Sequence, residues 1–426
     1  MTSTEDAVRA ATRAYGETVT EIRPLDLTRS APGSRPPRRF PAWVLPVAAA
    51  AVVIAVAVSL VLIRDIPNGR VVPPTPPVTV SGAVPRYYAD PMPAGKNPWS
   101  DLVIGDLFTG ARLATIAPPA GDTFVSVTGA ADDRTFVADT KAISRTYSPS
   151  TAALTWYLVR ITPGAAPGYQ LSRLPLPDMR SWAIQGIALS ASGDELAMGL
   201  AAAQPGLPAR VLQIYSMPAG TLLRSWSTTD TAAFAGPFVS GPGVPAATSM
   251  YWVDGDRALA FPAEHLPASG TQGKAGPLTE RLLDVTASGG DLIADSRVIW
   301  TAPTNGCQQP VLVTADGKTL VCTYLTWVSL GGTGNNTRLR NIVRFEAYSV
   351  QSATVRTIYQ VTVDTPQPEG ASLAVLWASP SGDKVIVDWG FAKDTVSPGN
   401  LGVVSHGTFT RLPPVPSFFF LPGPAW

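Results

Sequence analysis

Histidine and cysteine are nearly missing, with two of each in 426 residues. Cys307 and Cys322 cannot build a tetrahedral metal centre without further ligands, and His265 and His406 are remote from each other with no ligand spacing. No metal and no other cofactor is expected. The shortage also bears on catalysis, because His265 in PAEHLPASG and His406 in VVSHGTF are the only imidazole bases, and no G-x-S-x-G elbow supplies an activated serine. No catalytic residue is assigned, and the chain is expected not to be an enzyme. Charge is sparse too: 15% of residues, a net charge of +1, and neither sign concentrated beyond residue 82, which removes the electrostatic footprint that nucleic-acid binding requires. Two weaker motifs are also set aside. The stretch 270–276 (GTQGKAG) lacks the four-residue gap and the Ser or Thr of a phosphate loop. Asp132 and Asp133 form a carboxylate pair, but their setting reads as a hairpin turn.

One long stretch has no charge at all. Ala42 to Ile63 (AWVLPVAAAAVVIAVAVSLVLI) is apolar throughout, and at about 1.5 Å per residue it spans the hydrocarbon of a bilayer. Arg29, Arg35, Arg38 and Arg39 precede it, against Arg64 and Arg70 after it, so the positive-inside bias keeps the N-terminus in the cytoplasm. A cleaved signal peptide is the alternative, but the leader and its apolar run are longer than is usual for one. The expected layout is a cytoplasmic tail at 1–41, a transmembrane helix at 42–63, a linker at 64–82 and an extracytoplasmic domain at 83–426. Residues 66–80 (IPNGRVVPPTPPVTV) hold five prolines and form an extended, semi-rigid spacer. In the tail, Val8, Ala11, Tyr15, Val19 and Ile22 make an apolar stripe at helical spacing, to which a cytoplasmic partner or the inner membrane surface would bind.

Beyond the linker the chain repeats. FVSVTGAADDRTFVA, IALSASGDELAMG, MYWVDGDRALAF, VLVTADGKTLVC and VLWASPSGDKVIV are each apolar-turn-apolar, with turns at Asp133, Gly193, Gly255, Gly317 and Gly382, spaced by 60, 62, 62 and 65 residues. A second series of hairpins lies between them, beginning with LVIGDLFTGARLATI and ending with GVVSHGTFTRL, six against the five of the first series. Four antiparallel strands per period match a propeller blade. The fold class is therefore all-β, a six-bladed β-propeller preceded by one transmembrane helix, with five or seven blades and a pair of β-sandwiches as the alternatives. The first blade is one strand short, and Ser417 to Leu421 is the segment expected to complete it. Cys307 and Cys322 flank one hairpin on the oxidising side of the membrane, where a disulfide would clip its strand ends; two free buried thiols are the alternative.

The segments ASGDELAMG, ADGKTLVC and SPSGDKVIV resemble the inner hairpins of TolB-like and WD40-like propellers. No copy carries the Trp-Asp or Gly-His pairs of true WD40 blades, so the likeness is to the TolB-like class. The whole layout resembles a group of uncharacterised actinobacterial membrane-anchored proteins, a resemblance that implies location and fold.

With no catalytic constellation assigned, the expected role is a membrane-anchored, non-enzymatic module that binds a protein or a cell-envelope ligand at a propeller face. A transmembrane sensor of anti-sigma type and an extracellular hydrolase are the alternatives. The loops expected to matter are Thr228 to Ser249, Pro262 to Pro277 and Val328 to Arg338.

Overall fold

The computed structural model describes residues 83–413, apart from 94–99, 143–153, 163–167, 180, 204–205, 232, 235–249, 265–276, 287–288, 303–306, 333–337, 367–369 and 393–399. The proposed membrane segment, the tail and the Ser417–Leu421 closing strand lie outside the described residues. Among the described residues every regular element is a strand, and there are 23 of them.

The strands fall into blades. Blade 1 holds β1 (Tyr87–Pro93), β2 (Ser100–Asp106) and β3 (Arg112–Ile116); blade 2 holds β4 (Asp122–Gly129), β5 (Thr135–Ala142), β6 (Leu154–Thr162) and β7 (Gly168–Leu174). A single bridge, Ser100 to Phe124, joins these two blades into one seven-stranded sheet. Blade 3 is β8 (Trp182–Leu189), β9 (Glu195–Ala202), β10 (Arg210–Ser216) and β11 (Leu222–Thr228). Blade 4 is β12 (Tyr251–Val253), β13 (Ala258–Glu264), β14 (Leu278–Asp284) and β15 (Ser296–Thr301). Blade 5 is β16 (Gln308–Val313), β17 (Thr319–Gly331), β18 (Arg338–Ser349) and β19 (Val355–Pro366), and blade 6 is β20 (Gly370–Ala378), β21 (Lys384–Ala392), β22 (Gly402–Ser405) and β23 (Thr408–Arg411). Blades 3 to 6 are four-stranded antiparallel meanders.

Packing turns these sheets into a ring. The innermost strands β4, β8, β12, β16 and β20 neighbour one another in that order, with β1 beside β4. Each pair of adjacent blades shares one apolar layer. Phe124, Phe136 and Val159 meet Ala89, Leu102 and Ile104 between blades 1 and 2. Trp226, Phe234, Trp252 and Phe261 fill the layer between blades 3 and 4. The ring closes through the last layer, where Tyr88, Val103 and Leu107 of blade 1 pack on Ile386, Leu401 and Leu412 of blade 6. Burying a side chain such as the fully covered Trp226 is worth about 1.5 to 3 kcal/mol or more, so these layers hold the ring together.

Among the described residues, the strand that blade 1 does not show is the innermost rather than the outermost. The β2–β3 turn, with Gly110 donating to the Asp106 carbonyl, matches the β10–β11 turn, where Gly220 donates to Ser216. That register makes β1 the equivalent of each second strand.

In a meander the first and third connections lie at one end of the sheet, and the second connection and the link to the next blade lie at the other. The first connections are four or five residues long, and the second ones run from six to thirteen. Apart from the long β14–β15 connection, one face of the ring is therefore made of tight turns, and the other carries the second connections of six residues or more. The tight turns lock side by side: Gly193 (φ +76°) seats against Thr135 and Ala130 of blade 2, and Gly382 (φ +68°) against Thr319 and Thr314 of blade 5. Only glycine takes that backbone without strain. The Asp256 carboxylate also accepts from the backbone of Ala191 (2.8 Å) and Ser192 (3.2 Å) across the blade boundary.

The chain enters the ring on the tight-turn face. Arg86 donates its backbone N–H to Asp133 Oδ2 (2.7 Å) and its Nε to Asp106 (2.8 Å), while Leu107 donates to the Arg86 carbonyl (2.7 Å).

Two expected loop boundaries are corrected. Pro262 to Glu264 belong to β13, with Pro262 opposite Glu280. Val328 to Gly331 extend β17, and Arg338 opens β18. The alternation in YLTWVSLG continues the strand well past the end of its inner neighbour.

Candidate functional site

Blades 4 and 5 carry the features that most need explaining. β17, β18 and β19 are 13, 12 and 12 residues long, whereas β16 registers with β17 only from Leu320 to Thr323. The three long strands therefore rise beyond the rest of their blade on the long-connection face. Successive side chains point to opposite faces of this leaf. Leu339 and Asn341 are buried on the side toward blade 6, and Asn341 donates to Thr365 Oγ1 (2.8 Å). Arg340 pairs with Asp364 through both carboxylate oxygens (2.8 and 2.9 Å). On β17 itself Trp327, Val328 and Leu330 are 61%, 54% and 43% exposed.

The seam between blades 4 and 5 runs below this leaf. Leu278 and Trp300 of blade 4 and Leu320, Cys322 and Tyr348 of blade 5 form its apolar layer. By strand alternation Glu280 on β14, and Arg344 and Glu346 on β18, face the same layer. Burial pushes the Glu280 carboxyl well above the ordinary glutamate range, which favours its protonated form. Burial also raises Glu346, against the opposing pull of Arg344 at 3.3 Å. The Arg344 guanidinium lies 4.5 Å from the Tyr324 ring centroid, a cation–π contact.

Eight buried side-chain polar atoms among the described residues have no hydrogen-bond partner, and four of them are in this seam: Glu280 Oε1, Trp300 Nε1, Arg344 Nε and Glu346 Oε2. Unmade buried hydrogen bonds cost about 1 to 3 kcal/mol each. This concentration of buried polar atoms makes the seam a candidate site.

The disulfide lies in the same layer. Cys307 and Cys322 are bonded, with a Cα–Cα distance of 5.6 Å, and both sulfurs are buried. The bridge joins the entry of β16 to β17, as the hairpin reading expects. With 15 residues of separation, the double replacement Cys307→Ala/Cys322→Ala is expected to cost about 3 kcal/mol of stability. Thermal unfolding with and without reductant checks this, and equal midpoints would refute it.

The other sequence candidates are dispersed. His406 stands exposed at the β22–β23 turn with φ +50°. Asp132 caps the turn before β5 by accepting from Arg134 N (2.9 Å) and Thr135 N (2.8 Å), which is the turn role read from the sequence. His265, residues 270–276 and most of the Thr228–Ser249 loop lie outside the described residues. Glu280, Arg344 and Glu346 were missed, because a carboxylate at an inward strand position differs from an outward one only by parity, and parity is known only once the register is.

No family model matches this chain, and no curated protein does. Solved structures do. A TolB-type protein from Agrobacterium tumefaciens is 11% identical, with 77% of this chain and 89% of that one covered at a TM-score of 0.39. The periplasmic gluconolactonase of Pseudomonas aeruginosa is 13% identical over 77% of this chain and 98% of its own, with a TM-score of 0.36. Oligogalacturonate lyase from Vibrio parahaemolyticus is 10% identical over 68% of each chain, with a TM-score of 0.37. These structures include TolB-like and other propeller proteins. The six-blade assignment itself rests on strand order and layer packing.

One expectation is corrected by this comparison. The chain was expected not to be an enzyme, yet a lyase and a gluconolactonase stand among the structures it is similar to. The sequence argument tested for serine elbows, histidine bases, metal sets, one carboxylate pair and a phosphate loop, and that search covers a small part of enzyme chemistry.

Proposed function

We propose that this chain is an extracytoplasmic recognition propeller that engages a protein or cell-envelope ligand on its long-connection face. In this reading residues 42–63 hold it in the membrane and residues 1–41 lie in the cytoplasm. The observation that carries the proposal is the asymmetry of the ring. The first turns of the blades, on one face, are short and locked to one another, while the other face bears the long second connections and the raised leaf with Trp327, Val328 and Leu330 exposed. Large exposed apolar groups on a rigid scaffold are where partners bind. Arg86, near the start of the described residues, is held on the tight-turn face by its hydrogen bond to Asp133.

The test is site-specific photo-crosslinking of the full-length chain in its native membrane. A photoreactive residue replaces Leu207 or Arg338 on the long-connection face, or Lys318 on the tight-turn face. Adducts with another molecule are expected from the first two positions and not from Lys318. Adducts from Lys318 alone, or equally from all three, would reject the reading.

A further inference from the structure

We infer that the seam between blades 4 and 5 is a proton-operated hinge, closed while Glu280 is protonated and opening at its long-connection end when that carboxyl ionises. The two blades are separate sheets. Backbone bonds tie the preceding seam, between blades 3 and 4, where Ser227 donates to the Gly290 carbonyl, Leu292 to that of Ser227 and Phe234 to that of Pro262. Between blades 4 and 5 the backbone bond among the described residues runs from Asp254 to the Ala315 carbonyl (2.8 Å). Asp254 and Ala315 stand in first turns, β12–β13 and β16–β17, and Gly317 of the second turn seats against Val253 of blade 4. The tight-turn end is therefore latched, and the remainder of the seam is held by side-chain packing.

That packing contains a carboxyl with nothing to compensate its charge. Glu280 is 2% exposed, its Oε1 has no hydrogen-bond partner, and Trp300, opposite it in register, has an unpartnered Nε1. By register and alternation the same layer receives Asp284 and Arg297 from blade 4, both exposed. Blade 5 contributes Tyr324, Arg344, Glu346 and Tyr348, and Tyr251 of β12 packs against the layer. Arg344 is already committed to Glu346 (3.3 Å) and to the Tyr324 ring, so the cation that blade 5 supplies is paired elsewhere. Burial alone holds the Glu280 carboxyl above its ordinary range. A buried neutral carboxyl forgoes a hydrogen bond, whereas a buried unpaired carboxylate is far more costly and draws in water.

The sign follows from linkage. A group raised in the closed state stabilises it fully below the ordinary glutamate range, and that contribution is lost as pH rises toward the folded value. Glu280 is the third residue of β14, near the long-connection end. Parting the blades there gives it to water without breaking a ladder, since the ladders of blades 4 and 5 are each internal. Local opening of this kind needs less free energy than unfolding the ring. The raised leaf stands on blade 5 at the same end, so opening changes its distance from blade 4. The hinge belongs to the ring and does not depend on what the face binds.

The disulfide reports the opening, because Cys307 and Cys322 are buried in the same layer. In the full-length protein in detergent, the rate at which a phosphine reductant cleaves the bridge is measured from about pH 5.5 to about pH 8.5 and divided by the rate in denaturant at each pH. The ratio is expected to rise about tenfold or more in the wild type, the effect of one unit of titration, and to stay near its low-pH value in Glu280→Gln. Amide exchange of β5 in blade 2, corrected for the intrinsic rate at each pH, reports unfolding of the whole ring and is expected to rise less. A constant wild-type ratio, an equal rise in Glu280→Gln, or a rise in step with β5 exchange would each overturn the hinge. The comparison with β5 needs no variant, so it decides the matter even where Glu280→Gln fails to fold.

Discussion

The full-length protein is expected to unfold at a higher temperature at pH 5 than at pH 7.5. Burial raises Asp139 from 3.8 to about 6, against hydrogen bonds from the Ser126 hydroxyl and backbone N–H. It raises Asp388 to about 6 as well, and Asp388 Oδ1 has no partner. Burial raises Glu280 in the same direction. In each case the folded state holds a proton that the unfolded chain has released. Stability is therefore full below the unfolded carboxylate range, near pH 4, and is lost as pH rises toward the folded value. At 1.36 kcal/mol per unit, each aspartate lowers stability at neutral pH by on the order of 3 kcal/mol. Asp106 has the opposite sign: burial pushes it up, but hydrogen bonds from Arg86 and Thr109 outweigh burial and leave it lowered. Its contribution is lost in acid, below the range compared here. Asp388→Asn removes one titration, so its midpoint at pH 7.5 is expected to rise by several degrees and its pH dependence to flatten. A wild-type midpoint that is constant, or higher at pH 7.5 than at pH 5, would rule out this assignment.

These carboxylates mark where the sequence stopped being informative. The blade repeat was legible because a tight turn needs glycine or a small polar residue at one position, and Gly193, Gly255, Gly317 and Gly382 record it at nearly constant spacing. The disulfide was legible because only two cysteines exist. The shortfall in blade 1 was legible from the unequal hairpin counts. Asp139, Glu280 and Asp388 were not, since each sits in a strand whose pattern fits a surface carboxylate equally well, and only the register to the next blade buries it. The raised leaf was missed for a different reason. Its strands outrun their inner neighbour, and the alternation in YLTWVSLG was cut short at Val328 because the Gly- and Asn-rich stretch that follows Leu330 reads as a loop. Of the candidate site the sequence offered the loops Pro262 to Pro277 and Val328 to Arg338 and the cysteine pair, and none of its charged residues.

Replacement of Gly289 by alanine is expected to be the other large effect. Gly289 lies in the connection between β14 and β15, which reaches back onto blade 3. Ser227 of β11 donates to the Gly290 carbonyl (3.1 Å), Leu292 donates to the Ser227 carbonyl (3.1 Å), and Ser227 bridges Asp291 in parallel sense. Arg224 also donates to the Val285 carbonyl (2.6 Å), and Val285 and Leu292 are fully buried in the layer between blades 3 and 4. An added Cβ at Gly289 would stand 1.6 Å from the Ser225 carbonyl oxygen and 2.7 Å from its carbon. The obstacle is backbone in the middle of β11, so no rotamer change relieves it. Either the connection lifts away, with loss of its hydrogen bonds and of the Leu292 burial, or β11 shifts out of register with β10. Both routes cost about 4 kcal/mol or more, the range reserved for core disruption and strain. Gly168 is the control, since a Cβ there meets nothing within 4 Å, and Gly168→Ala is expected to leave stability almost unchanged. Denaturant unfolding of both variants in the full-length chain decides the matter. Equal midpoints would mean that blade 4 does not grip blade 3 through this connection, and the layer of Trp226, Trp252 and Phe261 would then carry that boundary alone.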